Sequence, residues 1–148
     1  MPHFFFGRCS FSKGRNVTVT LNEARRVIAA AQDRARAIGQ PQNVAVVDDG
    51  GNLVAFERMD SAWRGSIDIA INKAWTARAF DIETKTLAES SQSGGPFFGI
   101  HVSNGGRVMI FAGGVPLIRD GEIVGGLGIS GGDGAQDQTC AEAGAAAF

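Results

Sequence analysis

Few side chains in this sequence have the chemistry to act on a small molecule. There is no tyrosine, and there are two histidines and two cysteines. His101 stands between Phe97-Phe98-Gly99 and Ser103-Asn104-Gly105-Gly106. Its imidazole titrates near neutrality, which makes it the candidate general acid or base. Its plainer reading is a half-exposed loop or strand histidine. His3 lies close to the amino end, where ordered ligation is rare. Lys73 shares helical spacing with Ser66, Ile69, Ala70, Thr76 and Ala77, at the border of an apolar stripe. A lysine there either snorkels to water or meets a carboxylate, whether a substrate's or that of Asp60 or Asp48. Arg58 and Arg107 flank the same expected crevice, and their forked donors suit acid groups. Surface ion pairs are their ordinary use. Met59 and Cys140 carry soft sulfur ligands, but such residues more often fill gaps in a core. Asp60 has the alternative role of capping the next segment.

Several chemistries are excluded. The sequence has no HExxH, no Ser/His/Asp order and no close pair of carboxylates with obvious partners. Asp48-Asp49 adjoins Gly50-Gly51 and reads as turn chemistry. Gly125-Gly126-Leu127-Gly128 lies inside a β pattern and opens no helix, so it is no nucleotide-binding loop. The paired glycines instead suggest tight turns and close backbone approach. Cys9 and Cys140 form no CxxC, which argues against zinc and fits a reducing compartment.

The elements that must position these residues are legible. Thr20-Leu21-Asn22-Glu23 matches a capping box, followed by Leu21, Ala24, Val27, Ile28, Ala31, Ala35 and Ile38 at helical spacing. Gly39 and Pro41 end that helix. Asn43–Val47 and Leu53–Arg58 read as a hairpin around the Asp/Gly turn. A second helix is expected from Ser66 to Phe80, with Ile67, Ala70, Ile71, Ala74 and Ala77 inward. Thr84 is expected to cap a short third helix to Ser90, and Ser91–Gly99 is a Ser/Gly/Pro-rich loop. Three further strands are read at Arg107–Phe111, Gly114–Arg119 and Glu122–Ser130, the last two joined by Asp120-Gly121. Asp133 and Gln136 cap a final alanine-rich helix. The expected class is α+β, with a five-stranded, mostly antiparallel sheet flanked by helices.

At 148 residues the chain fits one domain, expected over 17–148 behind a flexible amino-terminal tail over 1–16. A net charge of −1 gives no reason to expect nucleic acid or an anionic membrane as partner. The Phe4-Phe5-Phe6 run is too short for a secretory signal, and the expectation is a cytoplasmic protein.

Four stretches recur together in one family. They are Val44–Gly51, Arg58-Met59-Asp60, Ser66 through Ala77, and the long run from Phe97 through Arg107 to Gly132. In this order they resemble the GlcG/HbpS family, which also supplies the carboxy-terminal domain of PduO-type proteins. The resemblance covers roughly Val17 to Phe148. It implies a profilin-like α/β domain, self-association as a homo-oligomer, and heme or a related tetrapyrrole as ligand. A heme site needs an apolar slot, groups for the propionates and an axial donor. Arg58, Met59, Asp60, Lys73, Phe97, Phe98, Gly99, His101, Asn104 and Arg107 are the expected ligand-binding set, with His101 the candidate iron ligand. A histidine on the first helix, the ligand in some PduO-type domains, has no counterpart in Leu21–Ile38. Three functions follow as expectations. The first is a tetrapyrrole carrier, buffer or sensor, accessory to a catabolic pathway. The second is a small enzyme acting on a carboxylated intermediate through His101, with Lys73 and Arg58 or Arg107. The third is an assembly subunit with no chemistry of its own.

Overall fold

A computed structural model describes residues 17–148. The expected tail over 1–16, with His3 and Cys9, lies outside the described residues. The chain runs α1 (Leu21–Ile38), β1 (Asn43–Val47), β2 (Leu53–Arg58), α2 (Ser66–Ala79), α3 (Thr84–Ser90), β3 (Gly114–Arg119), β4 (Glu122–Ser130) and α4 (Gly134–Ala146). Two short 3-10 turns, Ile100–Val102 and Asn104–Gly106, sit between α3 and β3.

The capping chemistry expected of α1 is present. Thr20 Oγ1 accepts from the Glu23 amide, and the Glu23 carboxylate accepts from the Thr20 amide at 2.8 Å. Gly39 closes the helix at φ 70°, the left-handed geometry that glycine adopts without a Cβ penalty. Asp133 and Gln136 make the same reciprocal cap on α4. Thr84, however, does not cap α3. It is the first helical residue, and its Oγ1 accepts from the Gly114 amide at 2.8 Å, so it ties α3 to β3.

The sheet is antiparallel with strand order β2-β1-β4-β3. It has four strands among the described residues, one fewer than expected. Arg107–Phe111 is not a strand, because its backbone groups are taken by a side chain of α2. Thr76 Oγ1 donates to the Arg107 carbonyl at 3.2 Å and accepts from the Met109 amide at 3.0 Å. The segment is pinned beneath by buried Val108, and just after it the Ile129 amide of β4 donates to Gly113 O. Asp120 and Gly121 both have positive φ, as a two-residue hairpin turn requires.

β1 is buried on both faces and divides the interior. Val44 and Val46 pack with α1 and α4, while Ala45 and Val47 pack with Ala70 and Ala74 of α2. β4 divides the same way: Leu127 and Ile129 face the α1/α4 layer, and Gly126 and Gly128 face α2. The expected stripe of α2 is correspondingly displaced. Ser66, Lys73 and Thr76 are buried with Ala70, Ala74 and Ala77, whereas Ile67 and Ile71 are only partly so. Small residues on helix and strand let the two backbones approach closely. No described helix is long and apolar enough to cross a membrane.

The glycines of β4 set that distance. A Cβ at Gly128 would lie 1.9 Å from the Ala70 carbonyl oxygen and 2.5 Å from the Ala74 nitrogen, both backbone atoms. Gly128→Ala is therefore expected to destabilise the chain by about 3 kcal/mol or more, at the upper end for overpacking. Denaturant unfolding followed by circular dichroism checks this; a loss within experimental error would contradict the close approach.

Candidate functional site

The close seat of α2 carries Lys73 into the interior. Its side chain is fully buried, and Nζ donates to the Ile129 carbonyl and to Asp137 Oδ2, each at 2.8 Å. The Phe111 ring covers the ammonium, with its centroid 4.6 Å away. Asp137 stands on the first turn of α4, placed there by the Asp133 cap, and its Oδ1 accepts from the Gly132 amide at 2.9 Å. Burial pushes the Lys73 pKa below its ordinary value, and the Asp137 carboxylate pulls against that shift. The partner is thus neither Asp48 nor Asp60. Asp48 is spent on its turn, where Oδ1 accepts from the Gly50 and Asn52 amides.

The other expected residues divide into two surface regions. Phe97, Phe98, Gly99, His101, Asn104 and Arg107 lie along one ledge between α3 and β3. Its entry is fixed by the Phe97 amide, which donates to Ser90 O at 2.9 Å. Its turns run through positive φ at Gly99, Asn104, Gly105 and Gly106. Ser103 Oγ donates to the Ile100 carbonyl at 2.6 Å and bonds Asn104 Oδ1 at 2.9 Å. The backbone is thereby ordered, yet Phe97, Phe98 and Val102 are 52, 67 and 73% exposed. His101 is exposed among them. At the far end the Arg107 guanidinium stacks on Trp75, 4.0 Å from the ring centroid, and Trp75 meets Phe80 edge to face. Exposed aromatic side chains, an imidazole and a guanidinium thus fall within one segment of the chain.

Arg58 lies in a different place. It lines a depression with Ser61, Trp63 and Arg64 at the end of β2. Asp60 is exposed in the same loop. Met59 is packed against the main core, and its Sδ accepts from the Gln42 amide at 3.4 Å. Cys140 is fully buried on α4, and burial pushes its thiol up to about 11, so it remains protonated at neutral pH. Asp137, Trp75 and Thr76 were not anticipated. The signal for Asp137 was its place one turn into a capped helix, on the side that a buried lysine would need.

The sequence profile described as "Haem degrading protein HbpS-like" matches residues 19–146. The chain belongs to the HbpS-like family. The uncharacterized 15.0 kDa protein of the dhaT–dhaS intergenic region of Citrobacter freundii is 38% identical to this chain over 125 residues, which is 84% of this chain and 88% of that one. The crystal structure of Klebsiella pneumoniae ORFY superposes with a TM-score of 0.87 at 36% identity, covering 93% of this chain and 95% of that one. The crystal structure of a PduOC:heme complex superposes with a TM-score of 0.84, also at 36% identity, covering 88% and 94%. The HbpS-like fold is thus the frame in which the buried pair and the ledge sit.

Within that frame Lys73 and Asp137 join α2 to α4 through a buried ion pair. Lys73→Met leaves a buried carboxylate without its cation and is expected to lower unfolding free energy by about 3–5 kcal/mol. Adding Asp137→Asn is expected to recover much of that loss, since the amide keeps the shape without the charge. Equilibrium unfolding of the single and double variants measures the coupling. A double variant as unstable as the sum of the singles would contradict it.

Proposed function

We propose that this chain is a binding protein for heme or a closely related tetrapyrrole, and that the ligand rests on the ledge from Phe97 to Arg107. The observation that carries this reading is the joint exposure of Phe97, Phe98 and Val102 around His101, on a backbone ordered by its own hydrogen bonds. Phe97 and Phe98 would contact the macrocycle, with Gly99 allowing close approach. His101 would reach the iron, and Asn104 and Arg107 would meet the propionates. Support also comes from the PduOC domain, a close structural relative solved as a heme complex. A carrier, buffer or sensor needs no more than this.

Binding is favoured over catalysis by the state of Lys73. An enzyme that oriented a substrate acid through Lys73 would need that ammonium at a surface reached by water. It is instead sealed under Phe111 and engaged by Asp137 and the Ile129 carbonyl. The same exposed aromatic ledge is also our reason to propose self-association into a homo-oligomer, since apolar side chains clustered at a surface mark contact sites. Light scattering on the eluted protein is expected to give a mass above that of one 15.5 kDa chain. A strict monomer at micromolar concentration would remove the proposal of self-association.

Titration of the purified protein with hemin, followed at the Soret band, tests the ligand. The expected result is a saturable shift near one heme per chain, weakened at least tenfold in affinity by His101→Ala. A weak change that does not saturate would overturn the heme reading, and an unaltered curve in the variant would remove His101 as ligand.

A further inference from the structure

The depression at the end of β2 is built differently from the ledge and carries its own chemistry. It holds about 640 Å³ and is lined by Arg58, Ser61, Ala62, Trp63, Arg64 and Gly65. That volume is in the range of small-ligand sites. Two guanidinium groups border it, and among the described residues neither makes an ion pair or a hydrogen bond. Glu57, Asp60 and Asp68, the carboxylates nearest in sequence, pair with neither arginine, and Glu57 accepts instead from Gln32. Arg36, Arg78 and Arg119 each meet a carboxylate, whereas the two guanidinium groups that line this depression do not.

The loop that bears them is anchored from beneath. The fully buried Asn43 donates from Nδ2 to the Trp63 carbonyl at 2.9 Å and to the Ser130 carbonyl at 3.2 Å. The Met59 amide donates to Gln42 O at 3.0 Å, and Ala62 is buried. Trp63 nevertheless leaves its indole 68% exposed, a large apolar surface held at the rim and unused by the core. A preorganised backbone lowers the ordering cost of binding.

We propose that this depression binds a small dianion. Each guanidinium presents a planar fork that suits a carboxylate or phosphate oxygen pair, and two forks at one depression favour two negative charges over one. The exposed indole supplies a flat wall for the remainder of the ligand. Two acidic groups on one small molecule, or one phosphate, share this chemistry. The proposal does not rest on the heme reading, and failure of hemin to bind would leave it standing.

The test is titration of the full chain with malonate, inorganic phosphate and, as monoanion control, acetate, all at equal ionic strength. Tryptophan fluorescence and calorimetry provide the readouts. We expect saturable binding of malonate or phosphate at concentrations at least tenfold below acetate. Arg58→Gln and Arg64→Gln are each expected to raise the half-saturation point roughly tenfold, as loss of a charge-assisted contact does. Trp63→Phe should abolish the fluorescence response while calorimetric binding persists. Both arginines are exposed, so the thermal midpoints without ligand should match the parent. Tighter phosphate than malonate assigns a phosphoryl ligand, and the reverse assigns a dicarboxylate. Acetate as effective as malonate and phosphate, unaltered titrations in both arginine variants, or no saturation by tens of millimolar would overturn the proposal.

Discussion

The ion pair between Lys73 and Asp137 is where the layers of this molecule meet. Lys73 belongs to the helix on one face of the sheet and Asp137 to a helix on the other, and the Ile129 carbonyl that shares the ammonium belongs to β4 between them. A lysine in such a place exists only because α2 lies against a strand relieved of side chains at Gly126 and Gly128. Its charge would be costly there without a carboxylate, and the carboxylate would be equally costly without the lysine. Each therefore fixes the position of the other, and with it the end of β4 from which α4 departs.

The remainder of the polar interior continues that junction. The Gly113 amide donates to Gln138 Oε1 at 3.1 Å, the Gly114 amide to Thr84, and Gly113 O accepts from Ile129. A Cβ at Gly113 would lie 2.6 Å from the Ile129 carbonyl oxygen and 2.8 Å from Lys73 Nζ, so the chain there is bare to let these groups converge. The segment from Arg107 to Phe111 is held on Thr76 for the same reason. It delivers Phe111 over the ammonium rather than adding a strand to the sheet.

Much of this was legible in the sequence because it is local. Capping pairs, hairpin turns and helical spacing act within a few residues, and they placed α1, both hairpins and α4. The glycine pairs announced close approach without saying of what to what. Two things were not legible. The strand-like run at Arg107–Phe111 is decided by a hydroxyl on another element, which no local pattern encodes. The partner of Lys73 is 64 residues away, and only the fold selects it over nearer carboxylates. The expected ligand set was divided for a related reason: Arg58, Asp60 and Arg107 were joined by a motif order, whereas the fold gives Arg58 and Arg107 to different surfaces. Residues 97–107 stay in one segment between α3 and β3 because they are contiguous.

The resulting account assigns structure to the buried charges and binding to the exposed ledge. Ferric heme is paramagnetic, so it broadens the NMR signals of nearby amides and makes that assignment directly measurable. Addition of substoichiometric hemin to the 15N-labelled protein is predicted to broaden the amides of residues 97–107 first, while those of Ile129 and Asp137 stay sharp. Broadening centred on Ile129 and Asp137, or no residue-specific broadening at all, would contradict it.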